Sequence, residues 1–245
     1  MKQQYTFFAC LVFYIFAHVA ATAQTSTIND SIASVKLQDS LISRYYQGVG
    51  RNAPFFNGAE YTGYGQGLVG NAFFENNLPV AGWLEYEGVL YRNVRILYDI
   101  VEDVLLVKDF GDNYLVRLNN KKIKSFGFGE YRFVKAGFNA ALPVDEGFYQ
   151  LLYQGSTEVM ARKFKLINYK TTTEKTTGTF VQYNNYFISK NNRIYTIGKR
   201  KDIIKAYSDR KNEIRKFIGE NKLNFKKNPE RMLTRVAAYY DQLNK

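Results

Sequence analysis

The sequence has one cysteine, Cys10, and one histidine, His18, in 245 residues. Both lie in an apolar run near the N terminus, so the rest of the chain has neither a thiol nor an imidazole. Without a thiol, that part of the chain cannot form disulfide bonds. Without an imidazole, it cannot use Ser-His or Cys-His catalysis or a histidine general base. Zinc, copper and haem sites normally use His or Cys, so we expect no cofactor and no metal site. The chemistry that remains uses carboxylates, Lys, Tyr or oxygen-coordinated cations.

The N-terminal segment has the three parts of a cleavable signal peptide. Lys2 supplies a positive end, residues 7–21 form an apolar run, and the small-x-small site Ala21–Ala23 follows. The run is shorter than the about 20 residues that a membrane-spanning helix needs. We therefore predict a signal peptide over residues 1–23 and an exported protein, either periplasmic or at the cell surface or extracellular.

Charge is unevenly distributed along the chain. The formal net charge is +12, and 21 of the 34 basic residues but only 7 of the 22 acidic residues lie in residues 160–245. A basic surface attracts polyanions such as anionic lipid headgroups, phosphorylated glycans or acidic proteins. In an exported protein nucleic acid is not the expected partner. A lysine-rich helical surface that only aids solubility is the alternative interpretation.

Residues 68–198 are a series of short β-rich runs with turn residues between them. AGWLEYE and VLYRNVRILYDI flank Glu87-Gly88, and FVQYNNYFI and RIYTI flank Asn191-Asn192. With about one strand per ten residues and hairpin-type turns, this pattern predicts an antiparallel meander of about ten or eleven strands. We expect the sheet to be curved, as a sandwich or a partial barrel.

Helical patterns flank this β-rich body. Residues 34–47, SVKLQDSLISRYYQ, predict a short N-terminal amphipathic helix. Residues 199–245 predict a basic two-helix hairpin, in which Asn228 as N-cap and Pro229 as the first helical residue begin the second helix. Residues 24–245 are therefore predicted to form a single α+β domain.

Four runs, spread over most of the chain after residue 23, carry a family resemblance. They are FFNGAEYTGY, GWLEYEGVLYRNVRILYDI, GFYQLLYQG and IRKFIGENKLNFKKNPERMLTRVAAYYD. In these runs the sequence resembles a set of uncharacterised exported proteins of Bacteroidota bacteria, most specifically in the last one. The resemblance implies a Gram-negative envelope setting and a β-rich body with a helical tail. It implies no activity and no catalytic residues.

Two short motifs match catalytic patterns by letter only. Gly65-x-Gly67-x-x-Gly70 has the spacing of a dinucleotide-binding loop, but a loop precedes it and a strand-like run follows it. Ser208-x-x-Lys211 has the spacing of a Ser-Lys nucleophile, but its companion motifs are missing. We interpret the first as a flexible glycine loop and the second as a solvated helix face.

A carboxylate-dependent glycan hydrolase remains compatible with the composition. Trp83, Glu85 and Glu87 alternate along a predicted strand, so their side chains share one face. A glycosidase needs two carboxyl groups about 5–10 Å apart beside a sugar-binding ring. Trp83 with Glu85 supplies part of that arrangement. Packing of Trp83 in the core, or its stacking on Arg92 across the hairpin, is the alternative.

We predict a non-catalytic binding or structural module of the cell envelope. The alternatives are a carrier of a lipid or other apolar ligand in a cavity of the curved sheet, and the glycan hydrolase. An unfilled apolar pocket favours the carrier, and a filled core favours the binding module. Candidate contacts for an envelope protein, a glycan or an anionic lipid surface are aromatic residues near the loop 52–70 and basic residues of the helical hairpin. These candidates are Phe55, Phe56, Tyr61, Tyr64, Trp83, Lys199, Arg200, Lys201, Arg215, Lys216, Lys226 and Lys227.

Overall fold

The structure is a computed structural model. It describes residues 58–75, 77–109, 111, 113–136, 146–173 and 175–244. All of these residues belong to one compact unit, Arg51–Lys245. The predicted signal peptide and N-terminal helix, and the candidate residues Phe55 and Phe56, lie outside the described residues.

The strands of the described chain form a single sheet. In chain order they are β1 (Ala59–Glu60), β2 (Leu68–Val69), β3 (Val80–Tyr86), β4 (Val89–Asp99), β5 (Val104–Lys108), β6 (Leu115–Arg117), β7 (Ile123–Phe128), β8 (Tyr131–Ala136), β9 (Gly147–Gln154), β10 (Glu158–Thr171), β11 (Thr176–Lys190) and β12 (Arg193–Ile197). Across the sheet the order is β1-β6-β5-β4-β3-β7-β8-β9-β10-β11-β12, and β2 pairs with β11. The β2–β11 pair is parallel. Pairing of β3 with β7 joins two series of sequential hairpins into one sheet.

Two tight turns follow the hairpin chemistry expected from the sequence. Glu87 and Gly88 connect β3 to β4 with φ angles of 50° and 80°. Asn191 and Asn192 connect β11 to β12 with φ angles of 50° and 57°. Positive φ at both central residues is the requirement of a type I′ turn, whose twist matches that of the flanking strands.

An aromatic core fills one face of the sheet from β4 to β9, where β3 lies between β4 and β7. Phe74, Tyr98, Phe126, Phe133 and Phe148 are all fully buried there. The Phe126 and Phe133 rings stack with centroids 4.8 Å apart. Phe74 meets Phe133 edge to face at 5.1 Å. We call this face the inner face.

The sheet curves around this core. Lys165 N of β10 donates to Ile100 O, just after β4, at 2.9 Å, although β3, β7, β8 and β9 lie between β4 and β10. The segment that precedes β3 fills the remaining gap. Phe74 N donates to Tyr98 O at 2.9 Å, and Lys165 Nζ donates to Phe73 O at 2.6 Å.

Three helices follow the sheet and cover the inner face of β10 to β12. They are α1 (Arg200–Ala206), α2 (Lys211–Glu220) and α3 (Pro229–Leu243). Ile203, Ile214 and Leu233, one from each helix, pack with Val159 and Ile188 of the sheet in one buried cluster. The predicted start of α3 is confirmed: the Asn228 side chain accepts a hydrogen bond from Arg231 N, and Pro229 is the first helical residue. No helix of the described chain combines the length and the apolarity that a membrane span requires.

The predicted fold class is wrong. Strands make up 49% of the structure and helices 22%, so the protein is mostly β rather than α+β. The strands form one mixed sheet of twelve, not an antiparallel meander of ten or eleven arranged as a sandwich or partial barrel. β1 and β2 have two residues each, and they pair with strands far away in the sequence. No local pattern indicates strands of that length.

The prediction of a two-helix hairpin is also wrong, because the first predicted helix breaks at Tyr207. Tyr207 has φ −106° and ψ 43°, and a 3-10 turn, Ser208–Arg210, separates α1 from α2. Contacts from distant elements hold the break. Asp209 pairs with Lys190 of β11 and accepts a hydrogen bond from Tyr240 OH of α3 at 2.6 Å. The apolar spacing alone is compatible with a continuous helix.

Candidate functional site

Tyr61 and Tyr64, two of the predicted contact residues, point toward Asp99, on the face of β4 opposite to the inner face. Tyr61 OH donates to Asp99 Oδ2 at 2.7 Å and Tyr64 OH donates to the same oxygen at 2.9 Å. Burial, together with the hydrogen bond and the charge of Asp99, raises the pKa of both hydroxyls, so they remain neutral donors. Asp99 is fully buried and also accepts from Val101 N at 2.8 Å. The two tyrosines therefore hold their loop against the end of β4.

Trp83 is half-buried and lies against β7. A Cβ atom at Gly127 would be 2.7 Å from Trp83 Nε1, so the indole occupies the space above that glycine. Glu85 accepts from Lys124 Nζ at 2.7 Å and from Ser125 Oγ at 2.8 Å. Although partial burial opposes it, these two hydrogen bonds lower the pKa of Glu85. A glycosidase general acid needs a raised pKa, so Glu85 does not fit that role beside Trp83.

The basic candidate residues are all exposed and come from three places. They are Lys199, Arg200 and Lys201 at the start of α1, Arg215 and Lys216 on α2, and Lys226 and Lys227 in the loop before α3. Lys226 N and Lys227 N both donate to Asn224 Oδ1, which orders that part of the loop. None of the seven lines the two cavities described next, which are formed by described residues.

The first of these cavities, about 370 Å³, lies between the β9–β10 turn and the end of α3. Asp241 is its buried polar group. The carboxylate accepts from Tyr153 OH at 2.9 Å, from Ser156 N at 2.8 Å and from Ser156 Oγ at 2.6 Å. Against the effect of burial, the bonds from Ser156 and Tyr153 lower the pKa of Asp241. Because protein groups already satisfy this carboxylate, we interpret it as a clamp between α3 and the sheet.

The second cavity, about 350 Å³, opens where the β7–β8 turn, β9, β10 and the first turn of α3 meet. We call it the seam cavity, because it lies between the aromatic core and the helix-covered part of the inner face. Its polar lining includes Glu75, Glu130, Tyr131, Gln150, Lys163 and Glu230. None of these six residues is among the sequence-based candidates.

Gln150 is a polar residue in an apolar part of the inner face. On β9 it lies between Phe148 of the aromatic core and Leu152, which packs against the helix cluster. On the neighbouring strands it is opposite Phe133 and Ala161. The residue is only 6% exposed, and Oε1 has no hydrogen-bond partner among the described residues. A buried acceptor left unpaired costs about 1–3 kcal/mol, so its presence calls for an explanation.

Lys163 and Glu230 form the inner wall of the seam cavity. Lys163 Nζ lies 2.8 Å from Glu230 Oε1, and the lysine is only 8% exposed. The same ammonium group lies 5.3 Å from the centroid of the Phe74 ring. This pair connects β10 with α3, and each charge has its counterion within the wall.

Two further carboxylates lie at the mouth of the seam cavity. Glu75 and Glu130 are exposed, and neither forms a hydrogen bond or an ion pair with another described residue. Burial, followed by the charges of Glu75, Glu130 and Glu230, raises the pKa of the Tyr131 hydroxyl. The charges of three carboxylates therefore act on this hydroxyl, which stays a neutral donor near pH 7.

The arrangement is suited to holding a ligand by hydrogen bonds and charge. It offers acceptors at the mouth and a buried acceptor at its base, in a protein whose formal net charge is +12. Among the described residues, no group of three or more His, Cys, Asp or Glu side chains is placed to hold a metal ion.

One signal in the sequence could have found part of this site. Gln150 interrupts the apolar run FYQLLY, at a position two residues from Phe148 and therefore on the same face of the strand. Glu130 follows a turn glycine, and Glu230 follows Asn228-Pro229, so both fit ordinary turn and helix-start chemistry. Comparison with known proteins adds no assignment, since no family model, curated protein or solved structure matches the chain.

Proposed function

We propose that the protein is a non-catalytic binding module of the bacterial cell envelope that holds a small polar ligand in the seam cavity. The observation that carries the proposal is Gln150, which lines that cavity and whose buried acceptor Oε1 has no partner among the described residues. A ligand N–H or O–H group would satisfy it. The signal-like N terminus and the resemblance to exported Bacteroidota proteins support the envelope setting.

The packing of the inner face favours this proposal over an apolar carrier. The Phe126 ring lies 4.8 to 5.1 Å from the rings of Tyr98, Phe133 and Phe148. Side chains thus fill the space that a lipid tail would need. The seam cavity beside this core is lined by charged and amide groups, which match a polar ligand.

A carboxylate-dependent glycan hydrolase is the second candidate, because three glutamates line the seam cavity. Glu230 is engaged with Lys163, which leaves Glu75 and Glu130 for acid and base roles. Release of reducing sugar from envelope glycans by the purified protein, and its loss in Glu130→Gln, would favour the hydrolase over the binding module.

Replacing Gln150 by methionine should separate binding from stability. Methionine matches the length of glutamine but removes the buried acceptor, so the free energy of unfolding should stay the same or rise by about 1 kcal/mol. Retention of the ligand should fall at least about tenfold, since the acceptor that anchors it is lost. Mass spectrometry of small molecules retained from an envelope extract, with urea unfolding in parallel, measures both.

The matched control is Gln154→Met, on the same strand. Gln154 is exposed and accepts from Arg132 Nη1 at 3.3 Å, outside the seam cavity. The control should retain the ligand as the unmodified protein does. Equal retention by Gln150→Met and the unmodified protein would show that the seam cavity is not the binding site.

The exposed basic residues support a separate contact with an anionic lipid surface. Reversing Lys226 and Lys227 to glutamate should weaken binding to vesicles that contain anionic lipid by at least about thirtyfold, because each basic residue near such a surface contributes about 1 kcal/mol. Cosedimentation at low and at physiological salt measures the effect, which should shrink as salt screens the charges. If the double variant cosediments as well as the unmodified protein, the loop before α3 is not the contact.

A further inference from the structure

We infer that the seam cavity binds an organic cation, whose ammonium or guanidinium N–H groups donate to Gln150 Oε1 and to the carboxylates of Glu75 and Glu130. This inference rests on the proposed function and specifies the class of ligand. It follows from the charges of the cavity, from the kind of hydrogen bond that is missing, and from the shape of the lining.

The charge that lacks a counterion within the cavity is negative. Glu230 is matched by Lys163 at 2.8 Å, whereas Glu75 and Glu130 have no ion-pair partner among the described residues. Arg231, exposed on the first turn of α3, is the remaining cation on the lining. The two carboxylates at the mouth give this place a negative charge that attracts cations.

The missing hydrogen bond also requires a donor. An amide oxygen only accepts hydrogen bonds, so Gln150 Oε1 cannot be satisfied by a carboxylate, phosphate or ester oxygen. Ammonium and guanidinium groups carry several N–H donors and no acceptor. They can therefore serve Gln150 and a carboxylate at the same time. If a water molecule satisfies Gln150 instead, no probe is expected to bind.

The lining suits an alkyl chain that bears the cationic group. Leu152, which lies on the same face of β9 as Gln150 and packs against the helix cluster, contributes apolar surface beside the acceptors. The Tyr131 ring is fixed by an edge contact with Phe74, with centroids 4.9 Å apart, and an aromatic face near a carboxylate favours a cation. A volume of about 350 Å³ is at the small end of ligand cavities. An extended amine or a single basic side chain therefore fits better than a large ligand.

The test uses three probes with the purified protein, and the first two have the same length. 1,5-Diaminopentane should bind at least about tenfold more tightly than 1,5-pentanediol in isothermal titration calorimetry, because only the diamine carries the charge that Glu75 and Glu130 attract. Nα-acetyl-lysine N-methylamide is the third probe, and it presents the same cation as a side chain. Preference for it indicates a protein segment as the source, and preference for the diamine indicates a free amine; either supports the inference.

Variants of the lining should change the diamine affinity in opposite directions. Gln150→Met should weaken binding about tenfold, and Glu130→Gln about three- to tenfold. Arg231→Gln should tighten it about threefold, because a competing cation is removed. Glu220→Gln removes one negative charge at the end of α2, as Glu130→Gln does at the cavity. It is therefore the matched control for Glu130→Gln and should leave the affinity unchanged.

The outcomes separate this inference from the proposed function. If the diol binds as tightly as the diamine and Gln150→Met weakens both, the cation inference is overturned and the binding function stands. If Arg231→Gln weakens the binding of the diamine, the cation inference is likewise overturned. If no probe binds and the Gln150→Met variant retains envelope ligands normally, both are overturned.

Discussion

Replacing Asp241 by alanine is expected to lower the free energy of unfolding by about 3–4 kcal/mol. The Asp241 carboxylate accepts hydrogen bonds from Tyr153, Ser156 and Thr157, and its residue is only 7% exposed. Alanine would leave these donors, of which Thr157 is buried, without an acceptor, and it would release the end of α3 from the β9–β10 turn. Urea unfolding followed by circular dichroism measures the loss.

The pH dependence of this effect has a defined sign. Hydrogen bonds from Ser156 and Tyr153 lower the pKa of Asp241 in the folded protein, against the effect of burial. A carboxyl group with a lowered folded pKa contributes stability above its unfolded pKa of about 3.9, and this contribution is lost as the pH falls through the folded pKa. The stability difference between the unmodified protein and Asp241→Asn should therefore be larger at pH 7 than at pH 3. An equal difference at both pH values would contradict the charge-based explanation.

Replacing Asp99 by alanine should also lower the free energy of unfolding by about 3–4 kcal/mol. Asp99 is fully buried at the end of β4. Its carboxylate accepts from Tyr61 OH, from Tyr64 OH and from the backbone N–H groups of Val101 and Glu102. Alanine would leave these donors unpaired and detach the loop of residues 61–67 from the sheet. Thermal unfolding reports the stability, and limited proteolysis of that loop reports the detachment.

Single tyrosine variants provide the control for this prediction. Tyr61→Phe and Tyr64→Phe each remove one hydrogen bond to Asp99 but keep the ring, so each should cost about 1 kcal/mol. In the Asp99→Ala background, either change should have almost no further effect, because its acceptor is already gone. A full additional loss in that background would show that the tyrosine hydroxyls do not act through Asp99.

Features encoded by neighbouring residues could be predicted from the sequence. The turns at Glu87-Gly88 and Asn191-Asn192, and the start of α3 at Asn228, depend on a few adjacent residues, and the structure has all of them. The break at Tyr207 could not be predicted, since Asp209 is held by Lys190 and Tyr240 from other elements. The parallel β2 strand could not be predicted for the same reason.

The contact surface proposed for the aromatic loop illustrates a second limit. Tyrosine beside glycine and asparagine is typical of exposed contact loops and equally of loops that are fixed by a buried carboxylate. The carboxylate that fixes Tyr61 and Tyr64 belongs to Asp99. It lies 38 and 35 positions away from them in the sequence. The seam cavity has the same origin, because Glu75, Gln150 and Glu230 meet only once the sheet has curved and α3 has packed against it.

The ladder between β3 and β7 affects how the chain reaches its native state. On either side of it, strands that follow one another in the sequence pair through short connections, and such contacts form early because little entropy is lost in closing them. One edge of β3 instead stays unpaired while β4, β5 and β6 are synthesised and add to its other side. Until β7 arrives, that open edge exposes unpaired N–H and C=O groups, so we expect the nascent polypeptide to be most prone to mispairing at this stage of its synthesis.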